Sequence, residues 1–295
     1  IDTESKIALG GFYLLSVWIF IANTMILFII LKNEALRTSV FIILGSLAVA
    51  DLLTGVSSFV LKQLDLNYMD RDSLECKFGI ATIMAVMCIS RFHLLLVTIE
   101  RFVAIIYPLH YPKMITEKRV MIALLIIWIY CLFLAVIAIT TGNHKPDDPQ
   151  SCSVLVFSDG FLEFLFVGSI GTDLAMYGLY LKIVYVARQQ RNKIASEQMQ
   201  FSTTRCSKST VLKKEVKALQ FIFFTLGLFS LCWLPFMLFI IICTLVPEYY
   251  DIFIKDCFFA LAYANSGMNF VIYAVKNQEF KKAMKSMNIF QTGRV

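Results

Sequence analysis

Long apolar runs alternate with short polar breaks along the whole chain. Seven runs stand out, at Lys6–Leu31, Val40–Lys62, Phe78–Tyr107, Val120–Thr141, Gly160–Val186, Val216–Val246 and Ile252–Val275. A helix rises about 1.5 Å per residue, so about 20 apolar residues cross the hydrocarbon layer of a bilayer. Each run is long enough to predict a membrane-spanning helix. The fold class expected is all-α, a seven-transmembrane helix bundle forming one domain over residues 1–295. A composition of 58% hydrophobic and only 16% charged residues favours spans over long buried helices of a soluble protein.

Charge gives the bundle a direction. An odd number of spans puts the two ends of the chain on opposite sides. With the N-terminus outside, the connections on the cytoplasmic side hold about 20 of the 27 Lys and Arg residues, among them Lys32, Arg37, Lys118, Arg119, Arg188 and Lys281. That is the bias expected of a multi-pass protein inserted N-terminus outwards. The net charge of +6 therefore reports topology and an anionic inner leaflet, not a nucleic-acid partner. Residues 189–214 are polar, basic and rich in Ser and Thr, and read as a flexible cytoplasmic loop. Residues 276–287 read as an amphipathic helix on the inner leaflet, with Phe280, Met284 and Met287 facing the acyl chains.

Cysteines and intramembrane polar residues supply the candidate chemistry. Cys76 and Cys152 both lie towards the oxidising side, where a disulfide would tie the outer loop to the top of the third span. Cys243 and Cys257 flank the third outer loop; a second bridge and two free thiols are both open. Asn23, Asp51, Ser90, Asn265 and Asn269 sit at similar depth in different spans. Ionisable groups in a bilayer cost several kcal/mol unless paired or hydrated. A hydrated cluster on the bundle axis and interhelical hydrogen bonding both account for them. His93 reads as a satisfied core residue, and no second His stands at ligand spacing.

Several motifs, in order and at matching depths, resemble those of the rhodopsin-like (class A) G-protein-coupled receptors. Glu100-Arg101-Phe102 closes the third span, followed by Tyr107-Pro108-Leu109. The sixth carries Phe229-Ser-Leu-Cys232-Trp233-Leu-Pro235-Phe236, and the seventh Asn265-Ser-Gly-Met-Asn269-Phe270-Val-Ile-Tyr273. Asn23, Asp51, Trp128 and the Cys76/Cys152 pair match their own helices' signatures. Among subfamilies the motifs look most like adenosine receptors, with further likeness to the melanocortin, cannabinoid and lysolipid group.

The resemblance implies a plasma-membrane receptor that is not an enzyme. It would couple an extracellular ligand, apolar or nucleoside-like, to a heterotrimeric G protein, with arrestin as a second cytoplasmic partner and membrane lipid around it. Arg101 would pair with Glu100 and Glu215 in the resting state, then swing towards the G protein near Tyr180 and Tyr273. Phe229 and Trp233 would belong to the same switch, with Pro235 kinking the sixth helix. Asp51, Ser90, Asn265 and Asn269 resemble an allosteric sodium site, whose oxygen ligands and single carboxylate suit a hard cation. No other cofactor is expected.

Departures from the pattern narrow the ligand. Ile83 stands where monoamine receptors have an Asp, Tyr263 where opsins have the retinal Lys, and Ile240 where adenosine receptors have an Asn. The expected pocket is built from Ile83, Met84 and Met87, from Phe157, Phe161 and Phe164, and from Trp233, Phe236, Met237, Ile240, Phe259 and Tyr263. Such a wall favours a largely hydrophobic small-molecule or lipid ligand. Arg91 replaces an aliphatic packing residue, and Asp173 lies at a facing depth in the fifth span. A buried Arg91–Asp173 ion pair is expected, the alternative being Arg91 bound to other polar groups or water. Phe270 replaces the usual Pro after Asn269. A non-signalling decoy or scavenger receptor is the alternative function, and a transporter fits less well because no internal repeat is visible.

Overall fold

The computed structural model describes residues 3–66, 73–140, 158–200, 224–243, 246–249 and 251–287. Nine α-helices appear among them: α1 (Thr3–Lys32), α2 (Ser39–Leu66), α3 (Leu74–Ile106), the short α4 (Tyr111–Met114), α5 (Glu117–Thr140), α6 (Asp159–Gln200), α7 (Phe224–Cys243), α8 (Ile252–Lys276) and α9 (Gln278–Ser286). Seven of them, α1, α2, α3, α5, α6, α7 and α8, are long and apolar enough to cross a membrane. The described residues contain no strand.

Helix starts are set by local chemistry. Ser73 accepts a hydrogen bond from the Cys76 amide at 3.1 Å, and Asp251 accepts one from the Ile254 amide at 2.9 Å. Both side chains satisfy amide donors that a first helical turn leaves open. Asn277 does two jobs, closing α8 through its own N–H to Tyr273 O and capping α9 through the Phe280 amide at 3.0 Å. The chain therefore turns sharply between the last span and α9.

Packing centres on α3, whose apolar window is 67% buried, against 22% for α5 at the rim. Helix α3 lies against α2, α5 and α6, while α1 closes the bundle against α2 and α8. Rim helices expose Leu125, Ile126, Phe133, Leu174 and Leu181 outwards, as a lipid-facing surface requires. At Gly267 a Cβ would come within 2.6 Å of Trp18, whose indole donates to the Gly267 carbonyl at 3.1 Å. Glycine is what lets α1 and α8 approach there.

Two expectations are corrected, and the open choice at Cys243 and Cys257 is decided. The helix containing the fifth span runs on through Gln200, so residues 189–200 are helical rather than loop. Its Gln, Arg, Lys, Ala and Glu residues are all good helix formers. Residues 201–214 lie outside the described residues. Phe280 does not face acyl chains; it is fully buried, 5.8 Å from the Tyr273 ring and 6.2 Å from Phe270. Met284 and Met287 pack against the same cluster, because the turn at Asn277 lays the apolar face of α9 on the bundle. Cys243 and Cys257 are free thiols, whereas Cys76 is disulfide-bonded. Cys152 lies outside the described residues.

Candidate functional site

Asp51 is fully buried at the centre of the bundle. Ser90 donates to its Oδ1 at 3.0 Å and Asn269 to its Oδ2 at 2.7 Å, joining α2, α3 and α8 at one carboxylate. Ser266 also hydrogen-bonds it. Asn23 brings in α1 by donating to the carbonyls of Ser266 and Ile19, both at 2.9 Å. Its own Oδ1 has no hydrogen-bond partner among the described residues. Asn265 is buried beside the cluster but makes no hydrogen bond to Asp51, its place being taken by its neighbour Ser266. A carboxylate and the hydroxyls of Ser90 and Ser266 meet here, with the unpartnered Asn23 Oδ1 in the same network, a donor set that fits a hard monovalent cation.

One level away lies a charged and aromatic contact among α3, α6 and α7. Arg91 Nη1 reaches both carboxylate oxygens of Asp173, at 3.2 and 3.1 Å, tying α3 to α6. The guanidinium carbon lies 5.1 Å from the Phe229 ring centroid and 5.2 Å from that of Trp233. A desolvated cation over an aromatic face contributes about 2 kcal/mol, and a planar guanidinium suits stacking where an ammonium does not. The aromatic contacts continue upwards, from Trp233 to Phe236 at 6.4 Å and from Phe236 to Phe259 at 5.6 Å.

Trp233 and Arg91 also line the bottom of a cavity of about 180 Å³. Ile83, Met84 and Met87 wall it from α3; Trp233, Phe236, Met237 and Ile240 from α7; Phe259 from α8. The α6 wall consists of Leu162, Leu165, Phe166 and Ser169, not the expected aromatic pair. Phe161 instead packs with Cys76, Ile80 and Ala138, and Phe164 is 52% exposed at the rim. The fifth span is apolar all round, so its inward face could not be read from the pattern. Tyr263 lies behind the wall, stacked 5.0 Å from Phe12 and hydrogen-bonded to Ser16 and to the Gly55 carbonyl. Phe157 lies outside the described residues. A Lys255–Asp256 pair, 3.4 Å apart, also lines the cavity.

At the basic end of α3, Glu100 is buried and Arg101 is a quarter exposed. Arg101 Nε and Nη2 donate to the two oxygens of Glu100, and the Tyr111 hydroxyl donates to Glu100 Oε1. Burial and the neighbouring Glu100 carboxylate push the Tyr111 phenol up to about 12, so it keeps its proton as a donor. Arg119 fixes the short helix that carries Tyr111 by donating to the carbonyls of Lys113 and Met114. Tyr273 is fully buried and Tyr180 half-buried, both in the cluster at this end. Glu215 lies outside the described residues. Sequence reading missed Tyr111 and Ser266, although each is a hydroxyl beside a quoted motif.

His93 is a core residue with both ring nitrogens engaged, Nδ1 with the Ile89 carbonyl and Nε2 with Ser46, each at 2.7 Å. The Trp128 indole donates to the same Ser46 hydroxyl at 3.1 Å. The described residues hold no cluster of His, Cys, Asp and Glu fit for a metal ion.

The chain matches the 7 transmembrane receptor (rhodopsin family) over residues 22–273. It is 28% identical to the alpha-1A adrenergic receptor of Oryzias latipes, over 95% of this chain and 65% of that receptor. It is also 28% identical to human G-protein coupled receptor 12, over 89% of this chain and 75% of the other. The octopamine receptor beta-1R of Drosophila melanogaster is 27% identical, over 93% of this chain and 59% of its own length. The chain thus spans about two thirds of the adrenergic relative. These relatives do not support the narrower likeness to adenosine and lipid receptors. The chain belongs to the rhodopsin family of seven-transmembrane receptors, multi-pass plasma-membrane proteins that are receptors and not enzymes.

Proposed function

We propose that this receptor passes the binding of a small, largely apolar extracellular ligand to a heterotrimeric G protein at its basic end. One observation carries the reading: Trp233 both floors the cavity and stacks on Arg91. Arg101 follows on the same helix, ten residues and about 15 Å further along. A ligand that shifts the indole therefore acts on a charged connector rigidly joined to the Arg101–Glu100 pair. That pair is a bistable contact, and a partner offering better acceptors to Arg101 can displace it. The orientation, with the N-terminus outside, rests on the placement of Lys and Arg.

Two of the relatives are named for amines, yet Ile83 stands where an ammonium would need an acid, and a guanidinium lies at the cavity floor. An amine is therefore not the ligand we propose. The Asp51 cluster is read as a sodium site in which Asp51, Ser90, Ser266 and Asn269 hold the ion. Bound there, sodium would neutralise the buried carboxylate and favour the resting packing of α2, α3 and α8.

The test is G-protein dissociation in cells expressing the chain with each Gα class in turn, beside an Arg101→Ala control. Signal through one class that disappears in the control is the expected result. A surface-expressed protein that engages no class at any ligand tried would favour a decoy receptor.

A further inference from the structure

We infer that the cavity binds a small carboxylate, held by Arg91 at the floor; the inference deepens the ligand reading above and rests on it. Arg91 is 95% buried, yet only one of its three guanidinium nitrogens is used for Asp173. Nε and Nη2 make no hydrogen bond among the described residues, and the side chain lines the cavity. A buried guanidinium with open N–H groups is costly unless an acceptor meets it. Asp173 is an incomplete partner, because its side chain is 31% exposed at the bundle surface while Arg91 is turned inwards. The positive end of the pair faces the cavity and the negative end faces away.

The other charges lining the cavity, Lys255 and Asp256, pair with each other. Its walls are otherwise Met, Leu, Ile and Phe, apart from the hydroxyls of Ser58 and Ser169 and the thiol of Cys88. Ser169 lies one helical turn before Asp173, on the same face of α6, and offers a second donor near the floor. The field inside is therefore positive at the bottom and apolar above. A carboxylate is the anion whose two oxygens match the fork of Nε and Nη2. A cavity of about 180 Å³ slightly exceeds the roughly 150 Å³ that accommodates benzene, so the body is one ring or a short branched chain. Drawing the guanidinium towards a ligand weakens its stacking on Phe229 and Trp233, which gives binding a direct route into the connector.

Three probes with one body and different heads test this on the full-length receptor in lipid nanodiscs: 3-phenylpropionate, 3-phenylpropionamide and 3-phenylpropylamine. The carboxylate is expected to bind about tenfold or more tightly than the amide, and the amine more weakly than either. In the Arg91→Gln, Asp173→Asn double variant, which leaves no orphan charge, the carboxylate should lose that advantage while the amide binds as before. An amide or amine that equals the carboxylate in the unaltered receptor overturns the inference, as does binding of none of the three. So does a carboxylate preference that survives the double variant. Filling the cavity with Met84→Trp separates the two readings. Amide binding lost there without a head-group preference leaves the pocket standing and removes only the carboxylate. Carboxylate binding unchanged there removes the pocket as well.

Discussion

Arg91 is the residue on which most depends. The family resemblance leads one to expect an aliphatic side chain there, and this chain places a cation within reach of Asp173, Phe229 and Trp233. Removing one member of a buried pair is worse than removing both, because the survivor keeps its desolvation cost without its partner. Asp173→Asn should therefore destabilise the receptor by about 3 kcal/mol, read as a lower melting temperature of the purified protein. The double replacement Arg91→Met, Asp173→Leu should recover most of that loss. A single variant as stable as the parent would mean that Asp173 contributes nothing to holding Arg91. The pair was legible in the sequence because charges inside spans are rare and conspicuous. The extra members of the neighbouring sites were not: Ser266 and Tyr111 are ordinary polar residues until the fold aims them at Asp51 and Glu100.

At the scale of elements, the apolar runs sufficed to place the spans, because hydrocarbon imposes a length that loops cannot meet. Faces were harder. A helix buried among lipids and other helices is apolar all round, so nothing in its pattern separates Phe164, which points outwards, from Leu165 and Phe166 on the cavity wall. The opposite error arose at α9, whose amphipathic pattern is plain. Its apolar face packs on the bundle through Phe280 instead of lipid, a choice made by the Asn277 turn. Close approach of elements can be tested at Gly267. A Cβ there would overlap Trp18, so Gly267→Ala should cost about 1–3 kcal/mol through forced separation of α1 and α8, measured again by melting temperature. Pairing it with Trp18→Ala, which opens the space, should restore part of the loss.

Across the whole molecule, three layers lie in series along α3: an apolar cavity, a charged and aromatic connector, and the hydrogen-bonded Glu100–Arg101–Tyr111 cluster at the basic end, the proposed lock. The Asp51 cluster, on the same helix through Ser90, joins α2 and α8 to the connector's level. The family could be read from its motifs alone, since these sit in the Asp51 cluster, the connector and the proposed lock. The nature of the ligand could not, since it depends on which side chains of apolar helices turn inwards and on which nitrogens of Arg91 remain open. On the proposed function, connector and lock form one transmission path. The most direct test is the rate of GDP release from purified G protein by the receptor in nanodiscs, comparing the parent with Arg101→Ala and with Arg91→Met, Asp173→Leu. Acceleration by the parent, abolished in the first variant and changed several-fold in the folded second, is the predicted result. Acceleration that survives Arg101→Ala, or that is the same with and without the Arg91–Asp173 pair, would contradict it.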